Sequence, residues 1–111
     1  VSFEEYQTEV MRTCGTHQYW DTIAMASIGL AGETGECCDL VKKELFHNHL
    51  QNKEAMKKEL GDALWYLTVL CDAYDLTLDE VVQANIEKLQ KRYPSGFDAE
   101  RSKNRATLGV E

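Results

Sequence analysis

The chain carries one proline, Pro94, so nothing before it interrupts a helix by the loss of a donor and the clash with the preceding turn. The apolar residues use that freedom. They recur at three- and four-residue intervals in four segments, and strict apolar–polar alternation never lasts beyond a few residues. The first segment runs from about Ser2 to Arg12, with Ser2 and Glu5 at capping-box spacing, and "CGTHQYW" breaks it. The second starts near Asp21 and reaches about Phe46. After the polar loop "HNHLQN", Asn52 is placed to cap a third segment that reaches about Tyr74. Thr77 and Glu80 repeat the capping-box spacing and open a fourth, ending near Arg92, where "YPSGF" supplies a stop. The expectation is an all-α, four-helix bundle: one domain over residues 1–97, then a charged C-terminal tail over residues 98–111.

The 111 residues suffice for one modest core. The formal net charge of −7 argues against a nucleic-acid polymer as partner, because such binding rests on basic patches. No apolar run is long enough to span a membrane, and "VSFEEYQTEV" lacks the regions of a signal peptide. Cys14, Cys37, Cys38 and Cys71 show no zinc-type spacing, and adjacent Cys37 and Cys38 point about 100° apart on a helix. Reduced, mostly buried thiols and a cytoplasmic setting are expected.

The second segment contains "GLAGETGE", three glycines and two acids where a helix favours alanine. Each interior glycine costs about 0.5–1 kcal/mol relative to alanine. On a helical projection Glu33 falls within the apolar stripe of Ala26, Leu30, Cys37, Leu40 and Val41, and Glu36 borders it. The third segment repeats the pattern: Met56, Leu60, Ala63, Leu67, Leu70 and Tyr74 form its expected core face, which Glu59, Asp62, Tyr66, Val69 and Ala73 widen on one side. Two helices thus each aim a pair of acids, at i and i+3, toward the interior. Single acids at a helix edge are ordinarily surface charges, but two matched pairs with no inward arginines to offset them are costly to desolvate. A divalent cation removes that cost. Four hard oxygen donors suit Mg²⁺, with Mn²⁺ as a substitute. A ferritin-like di-iron centre would need Glu-x-x-His, and the fourth positions here are Glu36 and Asp62. Gly29 and Gly32 flank the acid face, where they leave room for another backbone or a bulky ligand, whereas Gly35 lies on the far side. His47 and His49 fall in the exposed loop.

"GLAGETGE" followed by "KELGDALWYL" resembles the E-x-x-E and E-x-x-D motifs of the MazG-like, all-α nucleoside triphosphate pyrophosphohydrolases. "NIEKLQKRYPSGF" is similar to that family's ending, and "FHNH" to its short histidine-containing loop; the likeness spans about Tyr19 to Phe97. Many members begin the first motif with a double glutamate, whereas Gly32 precedes Glu33 here; members resembling dCTP pyrophosphatases share the glycine, so the departure bears on substrate subclass. The resemblance implies Mg²⁺-dependent hydrolysis of a nucleoside triphosphate, a dNTP or a non-canonical NTP, to the monophosphate and pyrophosphate, in nucleotide-pool housekeeping. By position it implies Glu33, Glu36, Glu59 and Asp62 as metal ligands, one glutamate serving instead to orient or deprotonate the attacking water. It also places Tyr66 at a nucleotide-contacting position.

Asn85, Lys88 and Arg92 share one face of the fourth segment, where lysine and arginine suit phosphate oxygens as well as a solvated helix end. Trp20 is a candidate for base stacking or for packing. The apolar arc of the third segment covers roughly 220°, more than one partner helix covers, so a homodimer or homotetramer is expected. The competing reading is a catalytically silent helical binding module on the same fold.

Overall fold

The computed structural model describes residues 1–111 as six helices: α1 (Phe3–Cys14), α2 (Tyr19–Phe46), α3 (Lys53–Ala73), α4 (Leu78–Arg92), α5 (Ala99–Lys103) and α6 (Arg105–Leu108). Outside them the one sheet-like feature is an isolated bridge between Pro94 and Gly96. The starts follow local chemistry. Ser2 Oγ accepts the Glu5 amide at 3.0 Å, and Asn52 Oδ1 accepts the Ala55 amide at 3.0 Å. At α4 the capping box is complete: Thr77 Oγ1 accepts the Glu80 amide at 3.1 Å and Glu80 Oε2 accepts the Thr77 amide at 2.9 Å.

α2 and α3 form an antiparallel hairpin, the dominant pairing of the molecule. α1 lies across one end of it, so that Val10 and Cys14, one turn apart, meet Ala26 of α2 and Val69 of α3 in the core. Trp65 packs on that core and its indole N–H donates to Thr13 Oγ1 at 2.9 Å, tying α3 to α1. α4 joins the rest mainly through α1. Gln7 makes that junction: its Nε2 donates to the Leu76 carbonyl at 3.1 Å and its Oε1 accepts the Leu78 amide at 3.0 Å. Residues 98–111 fold back on the end of α4. Arg101 donates from Nε to the Arg92 carbonyl at 2.6 Å and from Nη2 to the Lys91 carbonyl at 3.0 Å, placing a cation at the helix C-terminus.

The buried face of α3 is turned toward the widened side of the expected one, the side that carries Val69. Thr68, Val69 and Cys71 are buried, whereas Leu60 and Tyr74 of the expected core stripe are exposed. The apolar arc is too wide for one neighbour, and α1 selects the side that carries Trp65 and Val69. Thr68 is tolerated there because its hydroxyl donates to the Leu64 carbonyl at 2.7 Å. Of the cysteines, Cys14 and Cys71 are buried, Cys37 is half-buried and Cys38 is exposed, all as free thiols, so burial is less complete than expected. The chain is open: its radius of gyration is 17.4 Å, against about 13 Å for a compact chain of this length. No helix is long and apolar enough to cross a membrane.

Candidate metal centre

Antiparallel packing sets the two acidic pairs against each other. Glu33 from α2 meets Glu59 and Asp62 from α3, and one carboxylate oxygen from each lies within 4.8 Å of the others. Glu33 and Glu59 are half-buried and Asp62 is exposed, which opens the cluster to solvent on the Asp62 side. No basic side chain neutralises it: the ion pairs of the molecule join Arg12 to Glu9, Lys42 and Lys43 to Asp39, Lys57 to Glu54, and Lys103 to Glu100. Glu33 Oε2 is buried without a hydrogen-bond partner.

That orphan oxygen has a direct consequence. With all the carboxyls ionised, none has a hydrogen to donate. A proton on Glu33 supplies a donor toward Glu59, and this bond, followed by desolvation and the charges of Glu59, Asp62 and Glu36, raises the Glu33 carboxyl to about 7. A hard divalent cation would meet the same need without the proton. Three oxygen donors from two rigid helices, one of them buried and unpartnered, fit such an ion.

Glu36 is the acid the structure leaves out. It is exposed and stands apart from the group of three, although its charge still reaches Glu33. One helical turn beyond Glu33, the half-buried Cys37 thiol is held above its ordinary range by burial, then by the charges of Glu59, Cys38 and Glu33, against an opposing backbone hydrogen bond. From α1, the Tyr6 hydroxyl is likewise raised by burial and then by the charge of Asp62. Cys37 was visible in the sequence as part of the same stripe. Tyr6 carried no signal, because only the packing of α1 brings it there.

Tyr66, one turn beyond Asp62, lies against α2 at Gly29, where an added Cβ would overlap its ring. The opening at Gly29 is thus filled by a side chain of this chain, not left for a ligand. Gly32 and Gly35 face open space. Trp20 is 75% exposed, in edge contact with Tyr19 at 5.0 Å between ring centroids. Asn85 and Lys88 line a cleft of about 410 Å³ with Leu76, Val81 and Ala84. Arg92 is engaged elsewhere, its Nε donating to the Val110 carbonyl at 2.9 Å. Within the chain the acids and the polar face of α4 therefore stand on different helix pairs. His47 and His49 lie in the exposed α2–α3 loop.

The fold and the cluster define an all-α protein built around carboxylates shared between antiparallel helices. Residues 22–97, which comprise nearly all of α2, α3 and α4 and so every acid of the cluster, match the MazG nucleotide pyrophosphohydrolase domain, and the chain belongs to that family. It is 36% identical over 78 residues to the Gene 37 protein of Mycobacterium phage L5, covering 67% of this chain and 68% of the phage protein. A shorter likeness, 35% over 43 residues, covers 39% of this chain and 41% of the protein of Bacillus subtilis (strain 168) described as "Uncharacterized protein YvdC". No solved structure matches the chain significantly.

Proposed function

We propose that this protein is a Mg²⁺-dependent pyrophosphohydrolase that cleaves a nucleoside triphosphate, a dNTP or a non-canonical NTP, to the monophosphate and pyrophosphate in cytoplasmic nucleotide-pool housekeeping. The observation that carries the reading is the uncompensated Glu33–Glu59–Asp62 cluster within a chain of this family. Glu33, Glu59 and Asp62 would hold the ion, with Glu36, one turn along α2 from Glu33 and close enough for its charge to reach it, as the fourth ligand. When bound, Mg²⁺ (or Mn²⁺) offsets the charge of the triphosphate and makes a coordinated water more acidic. A glutamate of the set orients that water. Tyr66 contacts the nucleotide beside the acids and Trp20 stacks on the base. Asn85, Lys88 and Arg92 stand on the other helix pair within one chain and take phosphate oxygens where a second copy brings α4 to the acids, Arg92 through the guanidinium nitrogens that its bond to Val110 leaves free. Residues 1–97 form the working domain and residues 98–111 a tail that steadies the end of α4. The exposed apolar faces are covered in a homodimer or homotetramer.

The displacement of Glu36 favours one other reading, a helical module that binds nucleotide without turning it over. Pyrophosphate release from a panel of triphosphates, with Mg²⁺ and with EDTA, separates the two. Phosphorus NMR of a dCTP or dUTP digest then fixes the bond: pyrophosphate marks cleavage between the α and β phosphates, whereas free phosphate with nucleoside diphosphate overturns that assignment. No release from any nucleotide in the presence of Mg²⁺ selects the silent module.

A further inference from the structure

We propose that Gly29 is a positioning residue, which acts on the nucleotide only through the ring of Tyr66. This rests on the pyrophosphohydrolase reading and adds to it a residue outside the acids and the substrate contacts. The register of the hairpin carries the argument. Glu33 faces Asp62 across the two helices, and Gly29 and Tyr66 each lie four residues further along toward the same end of the hairpin. The Gly29–Tyr66 contact is therefore the next rung above the acid rung. An ideal Cβ at position 29 would overlap three atoms of the Tyr66 ring, so the ring rests directly on the α2 backbone. Trp65 meets the ring edge-on, with centroids 5.1 Å apart and an interplanar angle of 86°. The α2 backbone at Gly29 and the Trp65 indole both touch the ring and so limit how it can turn beside the carboxylates.

Gly29 differs in this from its neighbours in the motif. Gly32 and Gly35 face open space, and alanine would meet nothing there. Gly29→Ala instead must turn the Tyr66 ring away or part the helices at that rung. If the ring turns, the nucleotide contact changes and the acid rung keeps its spacing. If the helices part, metal binding changes as well. The two consequences are measurable apart.

The test is a double-substitution cycle on the full chain with Gly29→Ala, Tyr66→Ala and both together. KM and kcat for dCTP and dUTP are read alongside Mn²⁺ affinity without nucleotide. The expected result is a KM raised about tenfold by Gly29→Ala, with kcat and Mn²⁺ affinity near those of the parent, and no further rise when it is added to Tyr66→Ala. Should Gly29→Ala alone fail to fold, the double variant decides: folded, with the KM of Tyr66→Ala, it supports the inference; unfolded where Tyr66→Ala folds, it overturns it. An active parent whose KM is unmoved by Gly29→Ala, or is moved equally in both backgrounds, defeats the inference alone, as does a parallel loss of Mn²⁺ affinity. A parent that turns over neither nucleotide nor any other of the panel defeats the pyrophosphohydrolase reading and this inference with it.

Discussion

Glu33 is where the structure concentrates its electrostatic strain, and the sign of the resulting pH dependence is fixed. Its carboxyl titrates near 7 in the fold, held there first by the hydrogen bond to Glu59, and near 4.5 without the fold's influence. Between those values the native state holds a proton that the unfolded state has released, so stability falls as pH rises. Thermal melts in EDTA should therefore give a higher Tm at pH 5 than at pH 8, and Glu33→Gln should flatten the difference; a parent Tm that rises over the interval contradicts the assignment. Asp62→Asn and Glu36→Gln address the ion. Each is expected to cost at least the roughly 10–100-fold in turnover or metal affinity that even an outer partner of a metal site costs. Each also relieves repulsion, so neither variant should melt below the parent in EDTA. A lower melt for either shows that its charge stabilises the apo fold. The i,i+3 pairing of these acids was legible because both members lie on one face of one helix. That Glu36 stands apart was not, because helical spacing gives a residue's face but not its distance from the helix packed opposite.

At the scale of the elements, what could be read in advance was what is settled within a few residues. Ser2, Asn52 and the Thr77–Glu80 box open their helices where their side chains can reach the free amides of the first turn, a contact that needs no tertiary partner. The rotation of α3 was not legible. Its apolar residues cover so wide an arc that the sequence permits several buried faces, and α1 decides among them through Val10, Cys14 and the Thr13–Trp65 bond. The Gln7 bridge was hidden for the same reason, since it joins residues about 70 positions apart. Gln7→Leu keeps most of the side-chain volume but removes both hydrogen bonds, including the partner of the part-buried Leu78 amide. Such an orphaned group costs about 1–3 kcal/mol. Chemical denaturation should show a loss of that size with an unchanged m-value. No loss would mean that water replaces Gln7 at the junction.

For the molecule as a whole, the open shape and the placement of its apolar residues bear on each other. Only seven residues are buried, while Leu45, Phe46, Leu60 and Leu64 along the α2–α3 hairpin remain exposed, and exposed apolar faces mark interaction surfaces. The α2–α3 pairing uses one side of each helix, and α1 and α4 do not cover the remainder. A second copy presents the same kind of face and is the partner to which a two-fold arrangement is naturally complementary. Light scattering of the parent at micromolar concentration should therefore give two or four times the chain mass. Leu60 tests the face itself: it is 56% exposed in the protomer and lines an open cleft with Val41 and Met56. A surface substitution of this kind changes the stability of the isolated protomer by only about 0.5 kcal/mol, yet a charge set into an apolar interface meets no partner for its desolvation. Leu60→Glu should thus lower the mass toward that of one chain and lower the Tm, and the parent's Tm should rise with protein concentration. A parent of single-chain mass with a concentration-independent melt would show that the hairpin face is exposed in solution.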